Sequence, residues 1–156
     1  MEPRAPLPPG PVPGLGRRAL SILYEALLAF AIAFFASLAF YGATDGRLSG
    51  GTRLLFQAYL FLVFGIYFIA CWSRGGKTLA MQTWKIRVVR SDGASVGAGR
   101  AALRYALAWI SLLPLGAGFF WACFDPDGQF LHDRLAGTRL VVSGTAISVP
   151  PTTSSA

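Results

Sequence analysis

Between Ala19 and Tyr41 the chain runs for 23 residues with a single charge, Glu25. At a rise of about 1.5 Å per residue, a helix of that length crosses a hydrocarbon core about 30 Å thick. The 156-residue chain is 54% hydrophobic and only 13% charged, against about 25% charged in soluble domains. A soluble domain this small needs polar groups to cover it, so the run reads as a membrane span. Arg17 and Arg18 precede it and Ser37-Leu38-Ala39 offers a cleavage pattern. The run nevertheless exceeds the apolar core of a signal peptide, about 7 to 15 residues, and holds an acid, so it is read as retained.

A second span is expected over Leu54–Trp72, with Gln57 and Tyr59 near one end and Tyr67 and Trp72 toward the other. Residues 73–104 are then strongly basic: Arg74, Lys77, Lys85, Arg87, Arg90, Arg100 and Arg104 stand against one acid, Asp92. Lys and Arg stay on the cytoplasmic side, so this loop and, two crossings earlier, the N-terminus are placed there. The net charge of +7 thus sits between apolar runs and points to anionic lipid at the loop, with no nucleic acid partner. An interfacial helix is expected near Trp84, with Trp72 and Trp84 at the membrane interface. Cys71 and Cys123 have no metal or redox spacing and read as packing residues at span ends.

The third apolar stretch, residues 101–124, is divided by Pro114, Gly116 and Gly118 into pieces short for a span. Either one kinked helix or a re-entrant hairpin fits it. The expected class is an all-α integral membrane protein with two transmembrane helices and this third broken segment. Residues 1–16, rich in proline, and residues 143–156 are expected to be disordered tails around a membrane domain over 17–142.

The segment after the third stretch, GQFLHDRLAGTRLVVSG, lies without a gap on the earlier GKTLAMQTWKIRVVRSDG. Gly76, Leu79, Arg87 and Val89 fall on Gly128, Leu131, Arg139 and Val141. Each copy reads as a short helix followed by a strand, and two short strands lower their cost by pairing. Pairing requires both on one side of the membrane, hence an even number of crossings between them.

Two places carry candidate chemistry. Glu25 is an acid within a span, a functional-site hypothesis by default. It lies two helical turns after Arg18 on the same face, within reach of a partner such as Arg104. It reads either as a proton- or cation-binding carboxylate or as a packing pair between helices. The second place is Phe124-Asp125-Pro126-Asp127-Gly128 with Leu131-His132-Asp133-Arg134, read either as an ion-accepting mouth or as a capped turn. No His/Cys set has zinc spacing, no Ser/His/Asp arrangement is convincing, and Gly75-Gly76-Lys77-Thr78 lacks the spacing of a phosphate loop. Enzyme chemistry, a resident metal and a cofactor are therefore not expected.

These residues resemble the RDD family of small prokaryotic integral membrane proteins. The matching parts are Arg17-Arg18 with the in-span acid Glu25, the central Gly76-Lys77-Thr78-Leu79 with Ile86-Arg87-Val88-Val89 and Asp92-Gly93, and the closing Phe124-Asp125-Pro126 with Leu131-His132-Asp133-Arg134-Leu135-Ala136-Gly137-Thr138. The chain departs from the family pattern at Glu25, where Asp is usual, and at Ala80 and Lys85, where glycines are usual. The resemblance implies a prokaryotic inner membrane protein and, for some members, monovalent cation/proton exchange. On that reading Arg18, Glu25, Asp125 and Asp133 line the ion pathway, supported by Arg104, Gln57, His132 and Arg134. Three or four apolar helices make a thin wall, so transport implies a homo-oligomer or a partner membrane protein. The rival class is a non-transporting scaffold or accessory subunit whose basic loop binds anionic lipid or a partner.

Overall fold

The apolar runs form two long helices, α1 (Leu15–Ala43) and α2 (Gly50–Gly75), of about 44 and 39 Å at the standard rise. The computed structural model describes residues 11–44, 46, 50–112, 121 and 129–143. Mean hydropathy reaches 2.1 in the first long helix and 2.2 in the second. Their large side chains nevertheless face outward: Phe30 is 72% exposed and Leu54 69%. The core helix of a soluble protein hides such residues, whereas these two present them along their length, as a helix does when hydrocarbon is its solvent. Both helices run beyond the expected spans of 19–41 and 54–72. Arg18 extends α1 backwards by donating from Nε to Pro13 O at 2.7 Å.

After α2 the chain forms α3 (Leu79–Thr83) and β1 (Ile86–Arg90), then α4 (Ala98–Leu112), and later α5 (Leu131–Leu135) and β2 (Thr138–Val142). Thr78 caps α3 by accepting from Met81 N–H. The strands pair antiparallel, Ile86 opposite Val142 through Arg90 opposite Thr138. The ladder is extended at both ends, Ser143 N–H donating to Lys85 O at 2.7 Å and Ser91 N–H to Gly137 O at 3.0 Å.

The two helix–strand units coincide. A shift of 52 positions carries α3 onto α5 and β1 onto β2, residue for residue at every boundary. Lys85 and Gly137, which the shift superposes, both have positive φ, 53° and 61°. Val88 pairs with Leu140, its own counterpart, so a local two-fold axis passes through the centre of the ladder. The left-handed turn is free for Gly137 and strained for Lys85. Ala80 is fully buried.

The strands, α2 and α4 enclose the core: Trp72, Ile86, Val88, Val96, Ala101, Tyr105, Phe130 and Leu140. Trp84 packs against it half-buried. Trp72, expected at the membrane interface, is only 4% exposed. The reason is local: the Arg104 guanidinium lies over its ring, 4.1 Å from the centroid, and Phe68 packs beside it at 5.1 Å. The helix α4 spans about 22 Å, and the breaker segment at Pro114, Gly116 and Gly118 lies outside the described residues, as do Asp125, Cys123 and the distal parts of both tails. At the N-terminal side, Pro11 O accepts from Val142 N–H at 3.0 Å, so the ordered fold begins ahead of residue 17.

Candidate functional site

Glu25 is reached from two sides. From α2, Tyr67 O–H donates to Oε1 at 3.1 Å. From the cap of α3, Thr78 O–H donates to Oε2. Thr78 therefore does two jobs with one hydroxyl, accepting from the α3 backbone and donating to the acid on α1. Glu25 is half-buried, and among the described residues no cation lies within ion-pair distance of it.

Arg104, the expected partner of Glu25, is committed elsewhere. Its Nε lies 2.7 Å from Asp133 Oδ1, both side chains almost fully buried. Thr138 Oγ1 stands 3.3 Å from the same carboxylate oxygen and 3.3 Å from Asp133 O. Asp133 thus ties α4 to α5 and to the start of β2. The Arg104 guanidinium is satisfied on its edge by the carboxylate and on its face by Trp72, an arrangement suited to a planar delocalised cation.

His132 is buried and stacks on Phe130, the rings 5.5 Å apart and nearly parallel. Its Nε2 lies 3.9 Å from Asp133 Oδ1. Burial pushes the imidazole down to about 4, against the pull of Asp133 and with the push of Arg104. It is neutral at physiological pH, so the contact with Asp133 is not an ion pair. Arg18 lies over the other aromatic of this group, its guanidinium 5.7 Å from the Phe130 centroid.

These groups converge on a half-open cavity of about 350 Å³. Its walls come from α1, α2 and α4, and its floor from α5 and the sheet. Arg18, Glu25, Arg104 and His132 all line it. Of the expected site residues, the fold brings Arg18, Glu25, Arg104, His132 and Asp133 into one region. Gln57 is exposed on α2, ten residues and so about 15 Å of rise from Tyr67, and does not line the cavity. Arg134 is exposed on α5. Asp125 lies outside the described residues. Among the described residues no group of three or more His, Cys, Asp or Glu side chains could hold a metal ion.

Sequence reasoning missed Thr78 and Tyr67 as partners of Glu25. The signal for Thr78 was its position: a threonine just before an apolar helical segment is a cap, and a cap hydroxyl retains a donor to spend. Tyr67 carries no comparable signal, since a tyrosine near a span end fits the interface equally well.

No protein of curated function and no solved structure matches the chain in the comparisons. The RDD family model matches residues 12–137, which takes in α1, the basic segment and the Arg104–Asp133 pair, and the chain belongs to the RDD family.

Proposed function

We propose that this RDD family membrane protein exchanges a monovalent cation for protons at Glu25. The observation that carries the reading is the setting of that carboxylate: it lines a cavity between apolar helices, and its contacts are two neutral hydroxyls instead of a cation. An acid held by an arginine is committed to its charge, whereas one held by hydroxyls can change it. In the ionised form both hydroxyls donate to the carboxylate. In the protonated form Tyr67 can turn and accept, because a phenol serves as donor or acceptor. The site then keeps its hydrogen bonds in both states, as a cycle of loading and release requires. Arg104 and Asp133 frame it, and no enzymatic step is assigned to any residue.

The orientation proposed is N-terminus and residues 73–100 in the cytoplasm of a prokaryotic cell, at the inner membrane, with anionic lipid against the basic surface. Pairing of β1 with β2 supports an even number of crossings between them and so a hairpin form for the third stretch. A pathway walled by so few helices calls for a second copy or a partner protein. The rival reading, a non-transporting accessory subunit, draws on the Arg104–Asp133 pair, whose burial fits a packing role.

The test is cation-driven proton movement in proteoliposomes holding the purified chain, parent against Glu25→Gln, across Na⁺, K⁺, Li⁺ and the organic monocation tetraethylammonium. Flux in the parent that is lost in a folded variant is the expected result. A well-reconstituted parent without flux would overturn the reading in favour of the accessory subunit.

A further inference from the structure

The cavity beside Glu25 has a composition that a bare metal ion would not use. Hard cations take a shell of several oxygen ligands, and among the described residues the side-chain oxygens lining this cavity come from Glu25, Ser21 and Tyr105. The Tyr105 hydroxyl is already donated to Phe61 O at 2.8 Å. What the cavity offers instead is aromatic surface, from Phe64, Phe68, Trp72, Tyr105, Trp109 and Phe130. The rings come from α2, α4 and the residue before α5, so they surround the space from different directions.

The charges on the lining sort by commitment. Arg104 is paired with Asp133 and covered by Trp72. Arg18 is drawn toward the N-terminal segment by Pro13 O and lies over Phe130. Among the described residues Glu25 is the lining carboxylate, and neutral hydroxyls hold it. A space of about 350 Å³ falls in the size range of small-molecule sites. Aromatic rings with one acid among them recognise positive charge spread over an apolar body.

We infer that the ligand of this cavity is a hydrophobic organic monocation, of the quaternary ammonium or phosphonium type, bound against the aromatic walls with its charge at Glu25. The inference rests on the exchange reading and names its substrate class. Binding displaces the Glu25 proton, one proton leaving for each monocation that arrives, so the charge in the cavity is unchanged. The apolar walls receive the body of the ligand, and release follows when a proton returns to the carboxylate.

The experiment is equilibrium dialysis of tetraphenylphosphonium against the purified full chain in detergent, with tetraphenylborate, of the same shape and opposite sign, as the control for partitioning into micelles. The parent should bind the phosphonium saturably, more tightly as pH rises, and should not bind the borate. Glu25→Gln should weaken binding at least tenfold. Trp109→Ala, at a half-exposed ring on the rim, should weaken it about fivefold, the size of one cation–π contact. Phosphonium binding that is equal in parent and Glu25→Gln overturns the inference. A parent that ignores the phosphonium yet drives Glu25-dependent proton movement with Na⁺ or K⁺ overturns it while leaving the exchange reading standing. A parent with neither activity overturns both.

Discussion

Arg104 and Asp133 are 29 residues apart in the chain and 2.7 Å apart in the fold, each with a side chain at most 3% exposed. Removing one partner strands the other as an uncompensated buried charge, at a cost of about 3–5 kcal/mol, whereas replacing both with apolar groups is often close to neutral. Asp133→Leu or Arg104→Met alone should therefore lower the thermal unfolding midpoint in detergent sharply. The double variant should recover most of the loss. Equal losses in all three would show that the pair does not act as a unit.

Gly76 sits at φ 66°, where an added Cβ would meet Val88 O at 2.6 Å. Its carbonyl already accepts Val88 N–H at 2.6 Å, so the backbone has no room to retreat. Gly76→Ala should cost about 2 kcal/mol or more. Gly99→Ala, in α4 with nothing near its Cβ position, should be neutral or stabilise by up to about 1 kcal/mol. Melting curves of the two variants side by side check the contrast.

Lys85 takes the left-handed conformation that Gly137 takes in the second unit. Relief of that strain should let Lys85→Gly stabilise the chain by about 1 kcal/mol, while Gly137→Lys, the reciprocal change, should destabilise it. A lower melting midpoint for Lys85→Gly would contradict the assignment of strain to this residue.

His132 titrates at about 4 because it is buried, against 6.5 for a free imidazole. The folded state therefore binds its proton later than the unfolded state as pH falls. Stability is unaffected above pH 6.5, declines between 6.5 and 4, and by the lower end has lost about 3 kcal/mol. Proton-detected titration of the single imidazole should give the low midpoint directly. In His132→Gln the acid-side slope of the melting midpoint should flatten.

In the proposed topology the paired strands place residues before and after the third apolar stretch on one side of the bilayer. With Cys71 and Cys123 replaced by serine, single cysteines at Ser91 and at Ser154 should both resist a membrane-impermeant maleimide in intact cells and both react after permeabilisation. Labelling of Ser154→Cys alone from outside would refute the hairpin topology.

Much of this was legible in the chain itself. A run of apolar residues with one charge reads as a span in a protein with so little charge elsewhere, and Glu25 stood out by the same logic. The echo between residues 76–93 and 128–144 foretold two like units and their pairing, since a lone short strand leaves backbone groups unsatisfied. The partner choices were not legible. Arg18 and Arg104 are equivalent as cations on paper, and only packing decides that Arg104 meets Asp133 and Trp72 while Glu25 meets Thr78 and Tyr67. The packing of Trp72 beneath the Arg104 guanidinium was not legible either, because an aromatic at a span end carries no mark of the cation that will cover it.

The ladder between β1 and β2 also fixes an order of events. Residues 138–142 leave the ribosome about fifty residues after the strand they complete, by which time α1 and α2 have emerged and can already lie in the bilayer. Closure of the sheet thus waits until β2 has emerged, after α4 and α5. A nascent chain halted before Thr138 would hold two long apolar helices and an open β1 edge, the unpaired backbone that the finished sheet covers.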